Sequence, residues 1–294
     1  MLGVIGIGDN VCDLYIRSGL MYPGGQALNV AVYAKQMGAR AAYLGVFGND
    51  VLAAHVIATL DTLKIDHSHC RQYEGENGYA IVDLVDGERI FVRSNRGGVV
   101  NKHPIQLTPA DLDYIRSFDV IHSSNNGHFD TQLGLVASIG PAISYDFSRS
   151  WRDSKHSRGI CPYLDFAFIS CGDSSDEEAL NACRRLRNEG CGIVVATMGG
   201  KGALFHDGQY TIKQEPCPVK AVDTLGAGDS FAAGFLVSFM TAIRLKNGAM
   251  KDQEYYLRNI QAALKNGAAA AAKACMGAGA FGYSKHFDTD RLGS

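Results

Sequence analysis

The chain has 294 residues, 46% hydrophobic and 20% charged, with a formal net charge of −2. That length buries a large core as one α/β domain, and the near-neutral charge offers no basic surface for nucleic acid or an anionic membrane. No apolar run is long enough to span a bilayer, the start Met1-Leu2-Gly3-Val4-Ile5-Gly6 lacks the features of a secretory signal, and the eight cysteines include no C-x-x-C pair, as expected for reduced thiols in a cytoplasmic enzyme.

Residues 3–8 read as an apolar strand. Its Gly6-x-Gly8 begins like a dinucleotide fingerprint, but Val11 occupies the third glycine position and no helix pattern follows at once, which argues against that reading. Asp9-Asn10 closes the strand, and 11–16 is a second short strand with Asp13 inside it. A carboxylate at a strand's carboxyl end in an open α/β sheet is well placed for a ligand; for Asp9 a plain turn aspartate is the alternative. Gly24-Gly25 permits close backbone approach, and 28–37 is a helix ended by Gly38, with Asn29 in its first turn. A strand over 41–46, the turn Gly48-Asn49-Asp50 and a helix over 51–63 follow. His67 and His69 alternate toward one face of 65–71, which reads as an exposed strand because no further metal ligand is near. Residues 79–85 and 89–93 form a hairpin joined by Asp86-Gly87. Both of its faces carry apolar residues, so it needs two partner surfaces. Asn95-Arg96-Gly97-Gly98 returns the chain to the main body, with Arg96 a candidate for touching substrate.

Thr108-Pro109 opens a helix with a cap and a proline at the first position. A strand over 120–124 ends in the polar cluster Asn125-Asn126-Gly127-His128, which faces a cleft; for His128 a plain loop histidine is the alternative. Strands over 143–148, with Asp146 near its end, and 167–170 come next, and Asp176-Glu177-Glu178 is the acidic first turn of a helix. A strand over 192–197 leads into Thr197-Met198-Gly199-Gly200-Lys201-Gly202. This is not a Walker loop, because Gly202 and not Ser or Thr follows Lys201. Residues 203–205 and 209–212 form a small hairpin. In Asp223-Thr224-Leu225-Gly226-Ala227-Gly228-Asp229 the glycines make a turn that opens a helix over 230–240, apolar nearly all round and therefore buried. Free amides and the helix dipole at such a start favour an anion. Asp229 beside them is either a cap or a base that accepts a hydroxyl proton during phosphoryl transfer. Asn266-Gly267-Ala268 is read as the start of a last, alanine-rich helix that ends at Gly277.

The string from Asp223 through Asp229 to Ser230-Phe231-Ala232-Ala233-Gly234-Phe235 resembles the C-terminal signature of the ribokinase-like carbohydrate kinases, the PfkB family. Gly24-Gly25, Asn29 and Ala31 resemble its N-terminal signature. The resemblance implies a single three-layer ribokinase-like α/β domain over 1–294, with a mostly parallel central sheet between helices. It also implies a small β lid from about 11–21 and 79–93, through which two subunits pair as a homodimer. The implied activity is transfer of a phosphoryl group from ATP to a sugar hydroxyl. By resemblance Asp229 is the base, the Gly226, Ala227 and Gly228 amides form the anion hole, and Gly25 and Asn29 contact the sugar. Asp9 and Asp13 compete for a further sugar-binding position, and neither is singled out by spacing. Thr197, Gly199, Gly202 and Asn266 are assigned to the nucleotide, Mg2+ accompanies it, and a monovalent cation such as K+ is placed beside Asp223. Two departures stand out. Ser170 and Asp173 replace an Asn-x-x-Glu pair that helps hold magnesium in many members, and Gln26 replaces the lysine of ribokinase. Gly8-Asp9-Asn10, Asn29-Val30-Ala31-Val32-Tyr33, Gly127-His128, Asp146-Phe147-Ser148 and Leu164-Asp165-Phe166-Ala167-Phe168 resemble the bacterial fructosamine kinases within the family. They imply phosphorylation of fructoselysine or a related fructosamine at the sugar 6-hydroxyl, with carboxylates such as Asp9 or Asp13 favouring the cationic substrate. Kinases for another ketose or a nucleoside, or a non-catalytic sugar sensor, are the alternatives. A substrate panel separates the first two, and retention of Asp229 with the glycines speaks against the third.

Overall fold

The computed structural model describes residues 1–85, 88–245 and 252–287; the expected Asp86-Gly87 turn lies outside them. The first half of the chain runs β1 (Gly3–Gly8), β2 (Val11–Tyr15), β3 (Leu20–Gly24), α1 (Gln26–Gln36), β4 (Arg40–Phe47), α2 (Val51–Leu63), β5 (Arg71–Gln72), β6 (Tyr79–Val85), β7 (Glu88–Ser94), α3 (Pro109–Ile115) and β8 (Val120–Ser124). The second half adds α4 (Leu133–Val136), β9 (Ala142–Ser148), α5 (Ser154–Ile160), β10 (Phe166–Ser170), α6 (Asp176–Asn188), β11 (Ile193–Thr197), β12 (Ala203–His206), β13 (Thr211–Gln214), α7 (Ala227–Leu245), α8 (Gln253–Ala274) and β14 (Lys285–His286).

Among the described residues, a nine-stranded sheet has the order β13-β12-β11-β10-β9-β8-β1-β4-β5. It is parallel from β11 to β5 and antiparallel at β12 and β13. Alternation along the strands sorts side chains to two faces. Ile5, Ile121, Ala167 and Val194 pack with residues of α3, α5 and α6, among them Ile115, Ile160 and Leu186. Their neighbours Val4, Val120, Phe168 and Val195 pack with α1, α7 and α8, through Val30, Phe235 and Leu264. Both faces are therefore covered, and β1 is buried along its whole length, as a central parallel strand requires.

A five-stranded sheet with the order β14-β3-β2-β6-β7 stands on the rim of this body. It takes in β3 and β14 in addition to the two segments marked from sequence. Its edge strand β7 exposes Ile90, Phe91 and Val92 by 51%, 60% and 54%.

Three local expectations change. The last helix begins at Gln253, where the Asp252 side chain accepts from the Glu254 and Tyr255 amides at 3.1 and 3.2 Å. Asn266-Gly267-Ala268 is mid-helix. Gly267 reads as a break because glycine is a poor helix former, yet it is the crossing point of two helices: a Cβ there would lie 3.0 Å from the Phe231 carbonyl, and one at Gly234 would lie 2.9 Å from that of Asn266. Residues 65–71 are not an exposed strand. Asp66 makes a single bridge to Ala42, His69 stacks on Tyr114 at 4.0 Å and its Nδ1 lies 2.8 Å from Asp111 Oδ1. Finally, α1 starts at Gln26 and not at 28, because its cap comes from elsewhere in the chain. Asp9 accepts from the Gln26 and Ala27 amides at 2.7 and 3.1 Å.

Candidate active site

The turn before α7 is held from three sides. Asp223 is fully buried. Its Oδ1 accepts from the Leu225 amide at 2.9 Å, and its Oδ2 from the Gly279 amide at 3.0 Å and from the Tyr15 hydroxyl. Gly226 has φ +75, and a Cβ on it would lie 2.8 Å from both Ala280 Cβ and the Tyr33 hydroxyl, so this position requires glycine. Gly228 differs: it has no positive φ, and a Cβ there would meet no atom within 4 Å. The start of α7, where helix amides lack intrahelical acceptors, therefore faces open space at Gly228. The Ala227 amide turns back to the Thr224 carbonyl at 3.3 Å.

Asp229 follows in the first turn of α7, 7% exposed. Its Oδ2 accepts from Asn29 Nδ2 at 2.7 Å. Asn29 is 3% exposed, and its Oδ1 has no protein partner. Two segments 200 residues apart in sequence thus meet as one polar pair. Gly25, the residue before α1, has φ +112, and a Cβ on it would lie 2.6 Å from the Asp9 carbonyl. Asp9 and Asp13, equal candidates in sequence, occupy different places. Asp9 is half-buried and spends its carboxylate on the two α1 amides and the Ser124 hydroxyl, the last at 3.0 Å. Asp13 is buried on β2, and its Oδ2 lies so close to Gly24 that a Cβ there would be 2.4 Å away. The diglycine is what admits the Asp13 carboxylate beside the entry to α1.

The loop after β8 and the return from β7 are neighbours: a Cβ on Gly97 would lie 3.2 Å from His128 Nε2. Arg96 is exposed beside it, with φ +56. Asp146 lies near the end of β9, where burial pushes its carboxyl up to about 6 with the charge of Asp9 adding to the rise and the nearby Gln26 side chain opposing it. The sequence marked Asp146 by its place in a strand and within the string Asp146-Phe147-Ser148, without assigning it a role. The segment 279–281 and Tyr15, which brace the turn, carried no signal, and Tyr33 was marked only within the string Asn29-Val30-Ala31-Val32-Tyr33.

On the nucleotide side, Thr197 ends β11 with its hydroxyl on the Ile169 carbonyl at 3.3 Å. Gly199 has φ +58 with open space around it, whereas Gly202 packs under β13, where a Cβ would lie 2.0 Å from the Gln214 carbonyl. Asn266 is exposed on α8 and donates to the Ser238 hydroxyl at 2.9 Å. Asp173 pairs with Arg152 at 2.8 Å. Among the described residues no group of three or more His, Cys, Asp and Glu side chains is set to hold a metal ion.

The candidate residues on β1, β8, β9 and β11 all lie at the carboxyl ends of parallel strands, where open α/β sheets bind ligands. A family profile described as pfkB family carbohydrate kinase matches residues 8–282. The chain belongs to the pfkB family of carbohydrate kinases. The kinase is 37% identical to the fructosamine kinase FrlD of Bacillus subtilis (strain 168), over 99% of this chain and 97% of that protein. It is 30% identical to the fructoselysine 6-kinase of Escherichia coli (strain K12), over 87% of this chain and 96% of that one. A fructokinase from Vibrio cholerae O395, crystallised with fructose, ADP and calcium ion bound, superposes with a TM-score of 0.72 at 22% identity, covering 96% of this chain and 95% of its own. The family and the three-layer fold expected from the two signatures are those of the chain.

Proposed function

We propose that this kinase transfers the γ-phosphoryl group of ATP to the 6-hydroxyl of a fructosamine, with fructoselysine as the reference substrate. The observation that carries the reading is the Asn29–Asp229 pair at the mouth of α7, in a chain that is 37% identical to a fructosamine kinase over nearly all its length. The hydroxyl oxygen attacks the γ-phosphorus, the bond to the β–γ bridging oxygen breaks, ADP leaves, and the hydroxyl proton passes to Asp229. Amides at the start of α7, led by that of Gly228, face the transferring group. Asn29, Gly25 and Asp13 surround the sugar, Arg96 and His128 flank the entrance, and Thr197, Gly199 and Asn266 flank the nucleotide.

Mg2+ enters with the nucleotide, where it supplies charge neutralisation on the phosphates. The pairing of Asp173 with Arg152 supports metal binding mainly through the phosphates rather than through this side chain. The site beside Asp223 fits a monovalent cation such as K+. The carboxylate is fully buried, and no Lys, Arg or His forms an ion pair with it among the described residues. The rim sheet serves as a lid over the sugar, and its exposed edge β7 pairs with that of a second copy.

The test is a coupled ADP-release assay with fructoselysine, fructose, ribose and adenosine at matched magnesium and ATP. A fructosamine is expected to give the highest kcat/KM; preference for a plain ketose, ribose or a nucleoside overturns the substrate assignment.

A further inference from the structure

The cleft holds a second buried carboxylate that phosphoryl transfer does not use. Asp146 is 7% exposed at the end of β9. Its Oδ1 accepts from the Ser148 amide at 2.5 Å, and Ser148 adopts φ +48, a conformation uncommon for a residue other than glycine. The Gln26 side chain lies near the same carboxylate and favours its charged form. Gln26 Oε1 in turn accepts from Asn126 Nδ2 at 2.8 Å, and the Asn125 amide donates to the Asp146 carbonyl at 2.9 Å. Each of these donors is neutral. Neither Asp146 nor its acidic neighbour Asp9 forms an ion pair with Lys, Arg or His among the described residues. A buried carboxylate without a cation, with a second carboxylate near enough to add to its proton affinity, forms a site that a bound cation would stabilise.

The position of this site relative to the base follows from one helical turn. Gln26 and Asn29 are three residues apart at the start of α1, so they share a face and are separated by about 4.5 Å along the axis. Gln26 lies on the Asp146 side and bonds Asn126 at 2.8 Å, while Asn29 reaches Asp229 at 2.7 Å. The unpartnered Oδ1 of Asn29 lies buried on the same turn and is an acceptor that a sugar hydroxyl would satisfy. In a fructosamine the C6 hydroxyl and the C1 nitrogen are at opposite ends of the sugar, the first reactive and the second cationic.

We propose that the Asp146 carboxylate, beside the hydrogen-bonded pair of Gln26 and Asn126, binds the substrate ammonium, so that the sugar lies along the first turn of α1 with its 6-hydroxyl at Asp229. The inference rests on the fructosamine reading and moves recognition of the charge from Asp9 or Asp13 to Asp146. Asp9 is already spent on the α1 amides and Ser124. Asp13 lies on the lid sheet against Gly24. Gln26 then has a role that lysine would defeat, because a lysine ammonium at that position would compete with the substrate for Asp146.

The experiment compares kcat/KM for fructoselysine and for fructose in the wild type, Asp146→Asn and Gln26→Lys. The readout is the fructoselysine-to-fructose ratio within each protein, which a general loss of turnover or of folded protein does not move. A charged hydrogen bond of this kind predicts a drop in the ratio of about ten- to a hundredfold in Asp146→Asn. A drop in the same direction is expected in Gln26→Lys, which carries the test if the first variant does not fold. A wild-type preference for fructoselysine that persists unchanged in the folded variants overturns this inference and leaves the substrate reading standing. A wild type that prefers fructose overturns both.

Discussion

Asp229→Asn retains the size and polarity of the side chain, including an oxygen to accept from Asn29, and removes the proton acceptor. Turnover is expected to fall by about 10²–10⁴-fold, with thermal stability and ATP affinity near those of the wild type. Activity within a few-fold of wild type would remove Asp229 as the base. The two glycines before it separate by geometry. Gly226→Val places a branched side chain at φ +75 against Ala280 and Tyr33, so it should destabilise the fold by about 1–3 kcal/mol or more, read as a lower denaturation midpoint. Gly228→Val enters open space without strain, so stability should hold while ATP affinity and turnover fall together; retained ATP affinity would place the anion hole elsewhere. How much of this was legible depends on sequence distance. The turn and its base are consecutive residues, and their chemistry can be read from the string itself. The contact of Asn29 with Asp229 was reachable only through two separate motifs. The grouping of Gln26, Asn126 and Asp146 draws on three separate segments, and no spacing encodes it.

The elements were legible where their signals are local and obscure where tertiary contacts override them. Thr108 caps α3 through a reciprocal pair with Asp111, and Ser175 caps α6 in the same way with Glu178; both starts were visible as short strings. The start of α1 was misplaced because its cap is Asp9, and that of α8 because a glycine kept for helix contact resembles a break. The rim sheet was recognised through its hairpin, but β14 contributes only Lys285 and His286, paired with Met21 and Leu20, too short for any periodicity. If this sheet closes over the sugar, amides in Tyr79–Val85 and in the described part of Glu88–Ser94 should exchange more slowly when substrate is bound. Hydrogen exchange with and without fructoselysine measures this. Unchanged protection there, with the sugar shown to bind, would remove these strands from the lid.

For the whole molecule, the alternation of apolar strands with helices was sufficient to indicate a parallel sheet covered on both faces, and the two signatures located its ligand-binding end. The second sheet escapes that logic, because β2 and β3 follow one another with no helix between them, although Cys12, Leu14 and Met21 pack with Val56 and Leu60 of α2. Its edge strand β7 leaves Ile90, Phe91 and Val92 each more than half exposed, and among the described residues the outer side of that strand has no neighbour in the sheet order. Exposed edges of this kind invite strand pairing, and a contiguous apolar patch marks an interaction surface. A second copy of the same edge is self-complementary about a twofold axis, and pairing would bury the apolar residues that the monomer leaves in water. Static light scattering coupled to gel filtration should therefore give the mass of a dimer. The double variant Ile90→Glu and Val92→Glu, which sets like charges opposite one another across a paired edge, should shift it toward the monomer. A wild type that is monomeric across the micromolar range, or a double variant that remains fully dimeric, would rule out this edge as the dimer contact.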